Sequence, residues 1–168
     1  KAVNLKGDSL VSAKLTNGEK ELLVATKFGK AIRFKEGDVR ASNRGTMGVK
    51  AISLNMGDEL ISMDVIEPGS GSTLLTVTNQ GYGKRTELEE YPQQRRGGKG
   101  VKNIDARKGY VCCTTTVSEE DELLVTTRDG VIIRIPTSDI RVQGRSTQGV
   151  RIMAVKPGDE VAAVARIS

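Results

Sequence analysis

The sequence contains no histidine and no tryptophan, and its aromatic residues are three tyrosines and two phenylalanines. Without histidine, Ser-His and Cys-His nucleophilic catalysis and every His-ligated metal site are excluded. The two cysteines are neighbours, Cys112 and Cys113. Adjacent residues bridge only with strained geometry, so there is no disulfide framework and a reducing compartment fits. Apolar runs are short, such as Val131-Ile132-Ile133, which leaves no candidate for a transmembrane span or a signal-peptide core. The expected location is therefore cytosolic. So few aromatics cannot build the stacking platforms of single-strand binders, and no stretch carries helical periodicity.

What remains is a chain of 168 residues with 37% apolar and 28% charged positions, a globular composition. Its 26 basic and 21 acidic residues give a net charge of +5, which permits a polyanionic partner. If that partner is nucleic acid, the shortage of aromatics favours a duplex.

The decisive feature is internal repetition. With Gly29, Gly81 and Gly130 as anchors, three segments align without gaps. Upstream of the anchors lie Leu22-Leu23-Val24-Ala25-Thr26, Leu74-Leu75-Thr76-Val77-Thr78 and Leu123-Leu124-Val125-Thr126-Thr127. Downstream, at constant offsets, come Arg33, Arg85 and Arg134, then Arg44, Arg96 and Arg145, then Gly48-Val49, Gly100-Val101 and Gly149-Val150. Short β-rich runs punctuated by glycine, repeating about every fifty residues, predict an all-β array of four-stranded blades of the β-propeller type. Strands are expected over 21–26, 30–35, 49–54 and 59–66, and at the same places in the next two units.

The blades are placed at 20–66, 73–117 and 122–168, within one partial domain spanning 1–168. The opening stretch 1–13 matches the end of a unit, since Lys1-Ala2-Val3 through Gly7-Asp8 parallels Lys50-Ala51-Ile52 through Gly57-Asp58. It is read as the tail of a preceding blade, and the chain as a piece of a longer array.

Between strands of the second unit runs Tyr91-Pro92-Gln93-Gln94-Arg95-Arg96-Gly97-Gly98-Lys99-Gly100-Val101-Lys102. Arginine and lysine supply donors for phosphate oxygens, and glycines let main-chain N–H groups approach an anion closely. The alternative is a solvated turn. The matching loops of the other units each keep one arginine, Arg44 and Arg145, and the final glycine. A cation at one place in every unit becomes a row of cations, suited to a duplex held by its phosphates and bent along the row. Arg33, Arg85 and Arg134 have a competing structural reading, pairing with acids of neighbouring units.

Within this loop, Gln94-Arg95-Arg96-Gly97-Gly98-Lys99-Gly100 matches the motif called the GyrA box. Over essentially its whole length the chain resembles the C-terminal domain of the DNA gyrase A protein, with Thr76 through Thr86 and Gly144 through Val150 adding to the likeness. The resemblance implies a six-bladed β-pinwheel, a propeller whose blades exchange strands, that wraps double-stranded DNA around a basic rim. It implies DNA contacts by Gln94, Arg95, Arg96, Gly97, Gly98, Lys99 and Gly100. Arg44, Lys50, Lys102, Arg145 and Arg151 join them at the repeated rim positions and beside them.

In the full-length enzyme, an ATP-hydrolysing type II topoisomerase, the wrap would support negative supercoiling. The implied partners are duplex DNA, a second A subunit, and the gyrase B subunit, with a cytoplasmic, nucleoid-associated location and no membrane. No cofactor, metal or catalytic residue is expected in this piece. The chain departs from the family in one respect: the box usually sits in the first blade, whereas here only one further unit follows it. Either the box has moved or another copy lies upstream. The box is degenerate in topoisomerase IV relatives, so its intactness favours gyrase. Two alternatives are that equivalent topoisomerase IV domain and a propeller used as a protein-interaction scaffold.

Other features carry less. Gly81-Tyr82-Gly83-Lys84 lacks Walker spacing and is read as a hairpin turn. Glu119-Glu120-Asp121-Glu122 is read as a solvated loop, and the aspartates of Gly57-Asp58 and Gly158-Asp159 as stabilising turns through their own backbone. Tyr82, Tyr91 and Tyr110 lack the Arg-Tyr context that the resemblance implies for a cleavage nucleophile.

Overall fold

Each unit begins as a hairpin, and the reason is local. A threonine ends the first strand and a glycine with positive φ closes the turn three residues on, its N–H returning to the threonine carbonyl at 3.1 Å for Gly29, 3.0 Å for Gly81 and 3.1 Å for Gly130. The same threonine hydroxyls, of Thr26, Thr78 and Thr127, accept the N–H of the residue after the glycine. The computed structural model describes residues 2–168.

The first sheet is built from β1 (Glu21–Thr26), β2 (Lys30–Lys35) and β3 (Leu60–Ile66). The second is built from β4 (Thr73–Thr78), β5 (Tyr82–Glu87) and β7 (Val111–Val117). The third holds β8 (Glu122–Thr127), β9 (Ile132–Pro136) and β11 (Val161–Ile167). Two short strands complete the set: β6 (Val101–Lys102) and β10 (Val150–Arg151).

These short strands do not pair within their own unit. β6 joins β2 of the first sheet, with Lys30 opposite Lys102, and β10 joins β5 of the second, with Val150 opposite Gly83. The orders are therefore β3-β1-β2-β6, β10-β5-β4-β7 and β11-β8-β9. All pairs between these strands are antiparallel. The exchange accounts for three differences from the sequence expectation. The third sheet has three strands among the described residues, with no short strand crossing to β9. No strand forms at 49–54, because its partner would be the outer strand of an earlier unit. The six-residue strands expected at 101–106 and 150–155 shrink to two residues because the chain then wraps the preceding hairpin: Asn103 and Ile104 both donate to Gly29 O, and Ile152 and Met153 both donate to Gly81 O.

The core lies between blades. Leu23, Ala25, Ala31, Ile66, Leu74, Leu88 and Tyr91 form the seam of the first and second sheets. Leu75, Val77, Val117, Leu123, Val125, Ile140, Met153 and Val161 form that of the second and third. β3 packs on β7 and β7 on β11, so these are the inner strands, and β6 and β10 lie on the outer side. A four-stranded sheet buried on both faces explains why the hairpin strands read as continuous apolar runs rather than alternating ones.

The repeated arginines at the middle of the second strands are latches. Arg33 pairs with Glu21 and donates to Leu88 O at 3.3 Å and Tyr91 O at 2.9 Å. Arg85 pairs with Glu119 at 2.5 Å and donates to Ile140 O at 2.6 Å. The acids come from the arginine's own blade or the connection after it, and what the next blade contributes is backbone carbonyl. Arg134, among the described residues, pairs with Glu122 and donates to no neighbouring blade's carbonyl, and it stays exposed. Glu119 is thus an ion-pair partner and Asp121 is buried, accepting Ser118 N at 2.7 Å, so the acidic run is more than a solvated loop. The turn aspartates also reach further than expected. Asp58 accepts Phe28 N as well as Glu59 N, and Asp159 accepts Asp129 N as well as Glu160 N, tying the inner strands of the first and third sheets to their hairpins.

Candidate nucleic-acid interface

Because β6 belongs to the first sheet, the loop before it is laid along the outer edge of the first blade, although the second unit encodes it. Gln94 N donates to Arg33 O at 2.8 Å, Gly97 N to Ala51 O at 2.7 Å, and Ser53 N to Gly98 O at 2.8 Å. The third unit's loop repeats this on the second blade: Gln143 N donates to Arg85 O at 2.8 Å, and Asp105 N to Thr147 O at 3.0 Å. At the start of the chain, Gly45 N donates to Ala2 O and Asn4 N to Thr46 O, the same two bonds as Gly97 to Ala51 and Ser53 to Gly98. A single docking pattern therefore sets three rim loops.

The rim cations divide into two kinds. Arg95 and Lys99 are exposed, as are Arg44, Lys50 and Arg151. Arg96 is half-buried and its guanidinium donates to Lys50 O at 2.6 Å and Asp38 O at 3.2 Å. Arg145 repeats the grip, donating to Lys102 O at 2.9 Å, while its own N–H meets the Glu90 carboxylate at 3.1 Å. In Arg44's case the residue matching Lys50 and Lys102 is Lys1, outside the described residues. Each rim position thus joins an arginine of one unit to a lysine of the unit before: Arg96 with Lys50, Arg145 with Lys102. Lys102 also lies 3.8 Å from Asp105.

Two glycines of the loop have a packing role that sequence reading did not anticipate. Gly97 has its N–H engaged with Ala51, and its carbonyl accepts Ser53 Oγ at 2.7 Å. A Cβ on Gly100 would stand 2.4 Å from Ala31 O, and φ there is +70°. Gly97 and Gly100 thus let the loop close on the first blade. Gln94 is half-buried, with its Oε1 unpartnered.

The family profile described as "DNA gyrase C-terminal domain, beta-propeller" matches residues 20–67, 72–111 and 121–168. The chain belongs to this family. It is 43% identical over 170 aligned positions to the DNA gyrase A protein of Staphylococcus epidermidis, covering 99% of this chain and 19% of that protein. It is 41% identical over 162 positions to the DNA gyrase A protein of Staphylococcus aureus, covering 95% of this chain and 18% of that protein. The chain thus spans about a fifth of the length of these relatives. Among solved structures, a DNA gyrase A C-terminal domain superposes with a TM-score of 0.89 at 27% identity, over 99% of this chain and 56% of that one. A DNA topoisomerase IV C-terminal domain superposes with a TM-score of 0.92 at 26% identity, over 99% and 53%.

Seen as a gyrase-type β-propeller, the rim depends on residues that sequence reading passed over. Lys84 is fully buried, and its Nζ donates to Gly144 O at 2.7 Å, Arg145 O at 2.8 Å and Thr147 Oγ1 at 3.4 Å. It holds the third unit's rim loop from beneath. Burial pulls its pKa down to about 8, against the opposing pull of Glu90. The signal was present in the repeat, for the other units carry Ile32 and Ile133 at this place. Tyr91 is buried too, donating to Asn103 Oδ1 at 2.5 Å. Burial raises its phenol pKa and takes it out of nucleophilic chemistry. Burial likewise pushes the Cys112 and Cys113 thiols up to about 12 and about 11. Among the described residues no cluster of His, Cys, Asp or Glu is arranged to hold a metal, and no helix is long and apolar enough to cross a membrane.

Proposed function

We propose that this chain binds duplex DNA along the outer edge of its blades and bends it there, as part of the A protein of a type II topoisomerase. The observation that carries this reading is the rim itself: one docking pattern sets loops on the edges of the first and second blades and on the stretch at the start of the chain, and the exposed Arg44, Lys50, Arg95, Lys99 and Lys102 fall on or beside these loops. Evenly placed cations suit a polyanion whose charges repeat along a curved path, and bending follows from contact at several blades in turn. In the full enzyme such a bend would present a DNA segment for ATP-driven passage. Its partners there would be the B subunit plus a second A subunit, in the bacterial cytoplasm. The chain itself supplies no catalytic group and calls for no cofactor. The intact box and the identity to gyrase A proteins favour gyrase over topoisomerase IV.

The test is a titration with a duplex of about 150 base pairs at several salt concentrations, using the chain and two variants. Each neutralised phosphate contributes about −0.9 to the slope of log affinity against log salt. Replacing Arg95 and Lys99 together by alanine should make the slope shallower by about 2 units without altering the melting temperature. Arg96→Ala should instead destabilise the fold by about 1–2 kcal/mol, because Asp38 O and Lys50 O lose their donor. Affinity indifferent to salt and to the double substitution would defeat the proposal in favour of a protein-binding scaffold.

A further inference from the structure

One cationic cleft is not part of the rim loops. Next to the second hairpin, Gln80, Tyr82, Arg107, Lys108 and Arg151 surround a hollow of about 350 Å³ together with small and apolar residues, and no carboxylate lines it. Arg151 donates to the Tyr82 hydroxyl at 3.2 Å with its guanidinium carbon 5.6 Å from the ring centre, and Lys108 Nζ lies 5.9 Å from the same centre. The Arg151 bond and charge, with Lys108 adding to it, hold the Tyr82 phenol below its ordinary pKa, which marks a positive local potential. Arg107 is exposed and held at the mouth by Asp105, whose carboxylate takes its Nε at 2.9 Å.

The cleft's position is informative. Tyr82 and Arg151 face each other across β5 and β10, the outer edge of the second sheet, and β10 directly follows the rim loop that carries Arg145. The other units do not reproduce it: where the second hairpin has Gln80 and Tyr82, the first has Phe28 and Lys30 and the third has Asp129 and Val131. A concave, polar site with two guanidinium groups, one of them paired with the Asp105 carboxylate at the mouth, an ammonium and a phenol fits the oxygens of a phosphodiester.

We infer that Arg107, Lys108, Arg151 and Tyr82 form a second phosphate station, which draws the duplex from the rim of the second blade onto its hairpin side. This inference rests on the duplex-binding reading above and adds to it a defined point on the path. Tyr82 acts as a spacer that holds Arg151 in place.

The experiment compares salt slopes on the same duplex of about 150 base pairs for the unaltered chain, the Arg95/Lys99 double alanine variant, and a triple variant with Arg107, Lys108 and Arg151 as alanine. The triple variant should make the slope shallower by about 2 to 3 units, additively with the rim variant. Asp105→Asn is the complementary arm, made in a Lys102→Ala background because Asp105 also pairs with that rim lysine; it releases Arg107 and should tighten binding about threefold at low salt relative to Lys102→Ala alone, the size of one exposed ion pair. A destabilised variant could not mimic that gain.

If the rim variant loses slope while the triple variant and Asp105→Asn leave affinity unchanged, the hairpin station is refuted and the rim reading stands. If the unaltered chain does not bind the duplex even at low salt, both fall. Amide shifts at Gly109 and Arg151 separate the possible sources of phosphate. Movement with duplex but not with millimolar inorganic phosphate supports the station, and movement with inorganic phosphate alone makes the cleft a free-anion site and overturns it.

Discussion

The second and third blades are built from nearly the same repeat, yet they differ in how much of it they bury. In the second, every residue of β4 is buried, with Leu74 and Leu75 each at 0% exposure. In the third, β8 alternates, so that Leu123 and Val125 are buried while Leu124 is half-buried, and β9 leaves Ile132 60% exposed. The second blade has a neighbour on both faces and the third has one. An apolar pair such as Leu-Leu therefore means two buried faces only where something covers both, a second blade at Leu74-Leu75 or Ile52 and Ala51 of the connecting chain at Leu22-Leu23, and the latch arginine differs likewise: Arg85 is buried between blades and Arg134 is not.

The largest expected effect tests that asymmetry directly. Leu75→Ala should lower unfolding free energy by about 2–5 kcal/mol, whereas Leu124→Ala should cost less than about 1.5 kcal/mol. Urea unfolding of the two variants makes the comparison, and equal losses would mean that the third blade's outer face is covered in solution.

A second contrast concerns the closing glycine of the rim loops. Gly100→Ala forces a Cβ to 2.4 Å from Ala31 O at φ +70°, whereas Gly48, at φ +78°, has nothing within 4 Å. The first should cost about 2–4 kcal/mol and the second about 1 kcal/mol, from backbone strain alone. Thermal unfolding distinguishes them. Similar small losses would show that the loop does not sit tightly on the first blade.

The third sets one seam against the other. On the inner side of the first seam, Asp64, opposite Leu23, is buried and accepts Thr114 Oγ1 at 2.8 Å; the second seam places Thr115, opposite Leu75, at the matching position. Burial raises the Asp64 pKa to about 6, more than Thr114 and the charge of Lys14 lower it. Because the folded value lies above the ordinary one of 3.8, the protonated form favours folding. That contribution is complete below about pH 4 and is lost as pH rises through about 6. Asp64→Asn should accordingly stabilise the chain by up to about 3 kcal/mol at pH 8, a gain that shrinks to nothing by pH 4. Urea midpoints across that range check it, and a pH-independent effect would mean that Asp64 stays ionised at the seam.

Much of this was legible from residues. The anchors at Gly29, Gly81 and Gly130 located every hairpin, because a threonine and a glycine three positions on close the same turn wherever they occur. The box and the recurring Arg44, Arg96 and Arg145 located the rim loops. What stayed hidden is instructive. Leu124 looked equivalent to Leu23, but only a neighbour's presence decides whether the second face of a strand is covered. Arg96 looked like Arg95, but one grips two carbonyls of another blade while the other meets solvent. Lys84 finds its carbonyl partners in another unit's loop, and the cleft at Tyr82 draws Lys108 and Arg151 from two separate segments, and no local pattern specifies those.

By itself, the sequence determined the β-rich repeat, the hairpins, the number of units and the places where positive charge recurs, since these depend on propensity, turn chemistry and spacing within one unit. The tertiary structure decided where that charge lies. The outer edges of β2 and β5 have backbone groups to satisfy, and β6 and β10 satisfy them by crossing to the blade before. Each rim loop is thereby carried to its neighbour, so the loop encoded in the second unit lines the edge of the first.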